Sequence, residues 1–264
     1  MTGNPFATNR AVSRPQLEIL ERQPAVDSGK PPLLFVHGLG HGAWCWENWL
    51  DAAAAAGHPA YAVSLRGHGG SGGSLRGARL GQYVDDVIRA AATLPRRAVL
   101  VGHSLGGLVV QKALARYSAY AGVLVAPVPA HPAVASLLAV ARRHPLDAAR
   151  LTFGGSLPLR ADYLFTTLDG EEAKRHTDRC GRESALAQYQ LLLHRPAAPP
   201  RGGAPVLVLA TPDDRLVPIR GVRSTATRYG ATLREFPGMG HDLMLDVRWE
   251  EPLKSMVDWL STAR

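Results

Sequence analysis

A serine, an aspartate and a histidine, far apart in the chain, each stand at a point where a regular element must end. The pattern Gly-x-Ser-x-Gly occurs at Gly69-Gly70-Ser71-Gly72-Gly73 and again at Gly102-His103-Ser104-Leu105-Gly106. A glycine-rich chain yields such matches by chance, so context must separate them. Ser71 lies in a glycine tract with no apolar run on either side. Ser104 follows the apolar run VLVGH and opens the apolar stretch LGGLVVQ, which predicts a sharp strand-to-helix turn. Such a turn strains the serine backbone, demands small neighbours and lifts Oγ clear of the sheet. It also places Oγ at a helix N-terminus, where free N–H groups and the helix dipole favour developing negative charge. Ser104 is therefore the candidate nucleophile for an acyl transfer.

A serine hydroxyl needs a base within reach and a third group to orient that base. Ten histidines are present, and His241 in GMGHDLML occupies a glycine-flexed loop between the last strand-like and the last helix-like segment. From there a base can reach over the end of a sheet toward Ser104. TPDDRLVP, after the preceding strand-like run, offers Asp213 and Asp214 as the acid. Neighbours leaving a strand point in different directions, so only one of them can face the histidine. Charge developing on the acyl oxygen requires backbone donors, each worth about 3–4 kcal/mol. The amide of Leu105, directly after the nucleophile, and that of Leu39, in the loop after PPLLFVHG, are the expected pair. His37 and His41 stand four apart but in a glycine loop with no carboxylate between them. No metal and no cofactor are expected.

The elements that must hold these residues alternate in type. An edge strand is expected over 17–23, after a loose arm over 1–16. Buried strands are expected over 31–38, 59–65, 97–104, 121–128, 204–212 and 231–237, because short apolar runs end there at glycine or proline. Helices are expected over 46–58, 80–94, 104–117 and 249–263. Strands alternating with helices imply an α/β fold: a mostly parallel, doubly wound sheet with helices on both faces. Residues 129–203 break the rhythm with alanine- and leucine-rich helical stretches, proline-rich joints and no strand signal. The expected organisation is a core of 1–128 and 204–264 with 129–203 as a helical cap beyond the carboxyl ends of the strands, where such sheets bind ligands. Within the cap, Leu164 and Phe165 are the residues expected to touch substrate, among leucines at 137, 138, 168 and 191–193.

Composition narrows the class. Apolar residues make up 46% of 264, enough for a sizeable core. No run approaches the roughly 18 apolar residues of a membrane span, and the N-terminus lacks the apolar centre of a secretory signal. Two cysteines, Cys45 and Cys180, form no disulfide framework and fit a reducing, cytoplasmic setting. The net charge of +8 is spread over scattered arginines with no nucleic-acid module, so no nucleic-acid partner is expected. Nothing in the sequence sets an oligomeric state.

With these residues in place, the chain resembles the α/β-hydrolase superfamily along nearly its whole length. FVHGLGHGAWCWENWL, SLRGHGGSGG, VGHSLGGLVVQ, VLVLATPDDRLVP and FPGMGHDLMLD are similar to that family's successive landmarks, in the same order. The resemblance implies a Ser104–His241–Asp triad, and its D-x-x-V-P turn selects Asp214, four residues before Pro218. HGLGHGAWCW most resembles the group of small-molecule esterases and hydroxynitrile lyases. The lyases carry threonine where this chain has Gly38 and lysine where it has Asp242, so the chain departs from them. Relatives with an aspartate nucleophile are excluded by Ser104. The implied activity is hydrolysis of a small-molecule carboxylic ester, thioester or lactone through an acyl-enzyme. The same residues would also serve an acyltransferase or cyclase, or a ligand-binding receptor that kept its triad.

Overall fold

The computed structural model describes residues 14–263, so most of the expected arm over 1–16 lies outside the described residues. Seven strands form one sheet in the order β1-β3-β2-β4-β5-β6-β7. They are β1 (Ile19–Arg22), β2 (Leu33–Val36), β3 (Ala60–Val63), β4 (Val99–His103), β5 (Ala121–Val125), β6 (Val206–Ala210) and β7 (Thr232–Glu235). All neighbours pair in parallel except β1, which runs antiparallel to β3. Helices α1 (Glu47–Ala55), α2 (Leu80–Ala92), α3 (Leu105–Leu114), α9 (Ile219–Tyr229) and α10 (Glu250–Thr262) connect the strands or follow the last of them.

Every residue of β2, β3, β4, β5 and β6 is buried. This is why those strands read as unbroken apolar runs: helices cover both faces of a parallel sheet. β1 shows the opposite case. Glu21 and Arg22 are exposed, and the strand expected over 17–23 contracts to four residues at the antiparallel edge. A short charged edge of this kind resists pairing with another chain. Behind β2, Phe35 packs against Trp46 at 5.0 Å between ring centroids, and Trp46 meets Trp49 edge-on at 5.3 Å. These three rings anchor α1 and the turn that leads to it.

From β2 the chain steps to β3 on one side and then returns to β4 on the other. The order of strands therefore reverses between β2 and β4, and a crevice opens at their carboxyl ends. Leu39 follows β2 and Ser104 follows β4, so both emerge at this crevice. Between β5 and β6 lie α4 (Val134–Arg143), α5 (Pro145–Thr152), α6 (Ala161–Leu164), α7 (Gly170–Arg179) and α8 (Ala185–Leu193), with no strand among the described residues there.

Candidate active site

Ser104 joins β4 to α3 at φ 51°, ψ −117°. Among the described residues it shares positive φ with one other non-glycine residue, Ala126. Such a conformation costs of order 1–3 kcal/mol and persists only where its surroundings impose it. Here they do. Ser104 N–H donates to the Val125 carbonyl at 3.0 Å, and its own carbonyl accepts from Val128 N–H at 2.9 Å and Leu108 N–H at 3.3 Å. A side chain at Gly106 would run into the carbonyls of Val36 and His37, so the start of α3 can lie this close to β2 only as glycine. Ser71, the other pattern match, donates to the Ser64 carbonyl and accepts from Glu18 N–H, a hydrogen-bonding role in the loop.

His241 Nδ1 lies 2.6 Å from Asp214 Oδ2, with both side chains 2% exposed. The second Asp214 oxygen accepts from the N–H groups of Leu216 and Val217, both at 2.8 Å, which fixes the carboxylate in its turn. Asp213 points elsewhere and accepts from Gly238 N–H at 2.7 Å. With Nδ1 donating to Asp214, Nε2 is left as the accepting nitrogen of the neutral ring. The His241 loop is tied at successive residues. The Met239 carbonyl accepts from Thr211 Oγ1, Gly240 N–H donates to Asp246, and Asp242 N–H donates to the Leu164 carbonyl. The His241 ring packs against His103, the residue before Ser104, with centroids 4.7 Å apart. Ser104 Oγ and His241 are not hydrogen-bonded in this conformation. Such bonds are often long in unliganded sites and tighten around substrate. Burial pushes the His241 imidazole down. The Asp214 carboxylate and its hydrogen bond, helped by Asp242, outweigh this and hold it above the ordinary histidine range.

The two expected backbone donors occupy facing loops. Leu105 is the first residue of α3, where N–H groups have no partner within the helix. Leu39 is oriented indirectly, through His37. His37 Nε2 accepts from Leu65 N–H at 2.9 Å, so Nδ1 carries the proton and donates to the Gly38 carbonyl at 2.8 Å. The Gly38–Leu39 peptide is planar and trans, so gripping its oxygen turns the Leu39 N–H the opposite way. Burial, with His68 nearby, holds His37 well below the usual histidine range, as its accepting Nε2 requires. His41 Nδ1 donates to the next carbonyl, that of Leu39, at 2.7 Å. Gly40 is clasped from the joint between α7 and α8: its carbonyl accepts from Gly181 N–H at 2.7 Å and its N–H points to Glu183 at 3.4 Å. Glu183 also accepts from Tyr83 Oη at 2.6 Å and lies 3.1 Å from His68 Nε2. One buried carboxylate thus ties the joint to α2, to the loop after β3 and to the loop carrying Leu39.

Behind His241 lies a second polar group that sequence spacing alone did not reveal. Asp242 is fully buried, with His41 Nε2 at 3.1 Å from one oxygen and His103 Nε2 at 3.3 Å from the other. Cys180 Sγ stands 3.7 Å from His41 Nε2. Burial opposes charge on His41, but Asp242 and Cys180 raise it well above the ordinary value. Burial likewise opposes the Asp242 carboxylate, yet the three surrounding imidazoles, His41 first, bring it down to about 2. His41 and Asp242 therefore form a buried ion pair. His103, pushed down to about 3 by burial, stays neutral and donates from Nε2 to the His241 carbonyl at 3.2 Å. His103, His241 and Asp242 each bring a donor atom within 4.8 Å of the others. Asp242 is already paired with His41 and His241 Nδ1 with Asp214, so the group is a hydrogen-bonded network more than an open ligand set.

Ser104 and Leu39 open onto a cavity of about 200 Å³. Its walls are apolar, with Val128, Leu216 and Val217 from the sheet side and Leu137, Leu157 and Leu191 from the α4–α8 segment. Leu164 and Phe165, expected to touch substrate, do not line it. Both are buried, and their backbone packs against Gly240, where an added Cβ would stand 2.8 Å from Phe165 Cα. They support the His241 loop instead. Of the other leucines singled out, Leu138 and Leu193 face solvent at 49% and 79% exposure.

Comparison with known proteins speaks to the family and the fold. The profile described as the alpha/beta hydrolase family matches residues 33–257. The chain belongs to the alpha/beta hydrolase family. A probable esterase of Oryza sativa subsp. indica is 41% identical over 98 residues, 35% of this chain and 36% of the relative. The chain thus matches only about a third of the length of that relative. A monoacylglycerol lipase of Mycolicibacterium smegmatis is 27% identical over 248 residues, covering 86% of this chain and 87% of the lipase. Among solved structures, a monoacylglycerol lipase of Paleococcus ferrophilus superposes with TM-score 0.69 at 22% identity, covering 94% of this chain and 99% of that one. An esterase of Exiguobacterium antarcticum superposes with TM-score 0.72 at 15% identity, covering 94% and 96%. At these identities the two structures speak for the fold. No helix among the described residues is long and apolar enough to cross a membrane.

Proposed function

We propose that the chain hydrolyses a small, apolar carboxylic ester through an acyl-enzyme, with Ser104 as nucleophile, His241 as base and Asp214 as the group that orients it. One observation carries the reading: a strained serine at a helix N-terminus opens onto an apolar cavity, beside a histidine held by a buried carboxylate. His241 Nε2 takes the Ser104 proton as Oγ attacks the ester carbonyl. The Asp214 carboxylate stabilises the imidazolium that results, and the amides of Leu39 and Leu105 receive the charge on the former carbonyl oxygen. The imidazolium then protonates the departing alcohol. A water activated by the same histidine releases the acid and restores the serine. Esterases and lipases among the relatives support the ester as the bond broken.

The cavity supports a class of acyl group. An apolar cavity of about 150 Å³ holds a benzene ring and stays dry otherwise. A cavity of about 200 Å³ with leucine walls takes an uncharged short-to-medium chain or ring and disfavours carboxylates. In this reading α4–α8 form the cap over the site, and the two free cysteines fit a reducing, cytoplasmic setting. A panel of nitrophenyl esters of increasing acyl length tests the proposal. An optimum at a chain of about four to eight carbons is expected from a cavity of this size. Absence of turnover across the whole panel by well-folded protein would overturn it.

A further inference from the structure

Six of the nine large apolar side chains exposed among the described residues fall within 129–203. The two most exposed of the nine belong to α5 and its C-cap: Leu146 at 82% and Phe153 at 88%. Leu146, Ala149, Arg150 and Phe153 recur at i, i+3, i+4 and i+7, which gathers them on one face. The opposite face of α5 carries Asp147 and Ala148, both buried, and Leu151 and Thr152, which line the cavity. α4 repeats the arrangement. Val134, Leu138 and Arg142, at i, i+4 and i+8, are exposed, while Leu137 and Val140 turn toward the cavity. Two adjacent helices thus wall the cavity with one face and offer leucine, valine, phenylalanine and arginine to the outside with the other.

The charge on that outer face has one sign. Arg142 and Arg150 make no ion pair among the described residues, whereas Arg143 lies round the helix, in a hollow it shares with Asp213 and Asp214. The single acidic residue of the two helices, Asp147, turns inward and is held by Arg160 at 2.6 Å and by Tyr163 Oη at 3.0 Å. Exposed apolar side chains interleaved with unpaired arginines suit an interface that is apolar below and anionic at its surface. A second copy of this chain fits poorly, because a two-fold contact would bring the same arginines face to face in a protein of net charge +8.

We propose that the outer face of the α4–α5 hairpin docks onto an anionic lipid surface, with Leu146 and Phe153 entering the acyl boundary and Arg142 and Arg150 meeting the headgroups. The docking stands independently of the catalytic reading. If both hold, the surface delivers apolar esters beside the wall of the cavity that receives them.

Cosedimentation of the full chain with vesicles tests this, comparing phosphatidylcholine alone with an equal mixture of phosphatidylcholine and phosphatidylglycerol at low and high salt. Binding to the anionic vesicles should be at least tenfold tighter and should weaken with salt. Each arginine contributes about fivefold in partitioning to an anionic surface. The charge variant Arg142→Ser/Arg150→Ser should therefore lose the preference for anionic vesicles. The apolar variant Leu146→Ser/Phe153→Ser should weaken anionic binding about tenfold or more, with an unchanged circular dichroism spectrum and unchanged hydrolysis of a short, soluble ester. Three results would overturn the proposal: no retention of the wild type on anionic vesicles at low salt, equal binding by the wild type and both variants, or a concentration-dependent dimer that the apolar variant dissolves. Vesicle binding by a protein that hydrolyses no ester would overturn the proposed function and leave the docking intact.

Discussion

His41 Nε2 and Asp242 Oδ2 lie 3.1 Å apart with side chains 2% and 0% exposed, although 201 residues separate them. The pair joins the loop that presents Leu39 to the loop that presents His241. Removing one member of a buried pair leaves the other charge unpaired and costs about 3–5 kcal/mol. Asp242→Asn should therefore lower unfolding stability by about that amount at pH 6. The contributions have a definite pH window. The Asp242 carboxyl is depressed to about 2, so its contribution is present above the unfolded carboxylate value of about 3.9 and is lost as pH falls through 2. His41 is raised, so its contribution is present below the unfolded value of about 6.5 and is lost as pH rises through the folded one. Urea unfolding of wild type and Asp242→Asn should show a wider gap at pH 6 than at pH 10. A gap independent of pH would mean that the pair is not ionised.

The rate should follow His241. Its imidazole is raised above the usual range, since the Asp214 carboxylate overcomes the effect of burial, and only the neutral ring can take the Ser104 proton. kcat/KM should rise with pH through one ionisation above about 6.5. A flat profile from pH 5 to 9, or an inflection below that value, would remove His241 from the role of base.

The adjacent aspartates offer a contrast within one turn. Asp214→Asn puts an amide against His241 Nδ1 and favours the wrong tautomer, so kcat should fall by orders of magnitude, about 10⁴ for the same exchange in the Ser-His-Asp template. Asp213→Asn keeps an oxygen able to accept from Gly238 N–H, so it should cost about 1 kcal/mol of stability at most and little activity. Steady-state rates and thermal unfolding of both variants separate the two. The reverse ranking would move the acid to Asp213.

Acyl-length preference should respond to the cavity wall and not to the residues beneath the His241 loop. Leu137→Ala enlarges the cavity by three carbon atoms and should shift relative kcat/KM toward longer acyl chains by at least about tenfold, since one methylene in an apolar pocket already produces that order. Leu164→Ala should cost about 2–5 kcal/mol of stability, since the side chain is 1% exposed, and leave the preference where it was. A shifted preference in Leu164→Ala but not in Leu137→Ala would return the substrate to Leu164.

The contrast between Leu137 and Leu164 shows where sequence reading ends. β2 and β4 were legible because strands buried on both faces must be apolar throughout, and the turn at Ser104 was legible because only glycine fits beside it. Asp214 and His241 each close a strand or open a loop, and the fold brings their side chains together. Inside 129–203 a leucine reads the same whether it faces the cavity, packs under the His241 loop or meets solvent, and Leu137, Leu164 and Leu193 are one of each. Those outcomes depend on which neighbour each helix meets. Glu183 and Asp242 were hidden for the same reason. Their partners come from loops far away in sequence, and no local spacing marks a carboxylate that the fold will bury.

Labelling the protein with a fluorophosphonate probe, followed by mass spectrometry of the digested peptides, reaches the central claim most directly. The account predicts one modified residue, Ser104, and loss of both labelling and ester turnover in Ser104→Ala with the fold intact. A label on Ser71 or another serine, or undiminished turnover in Ser104→Ala, would contradict it.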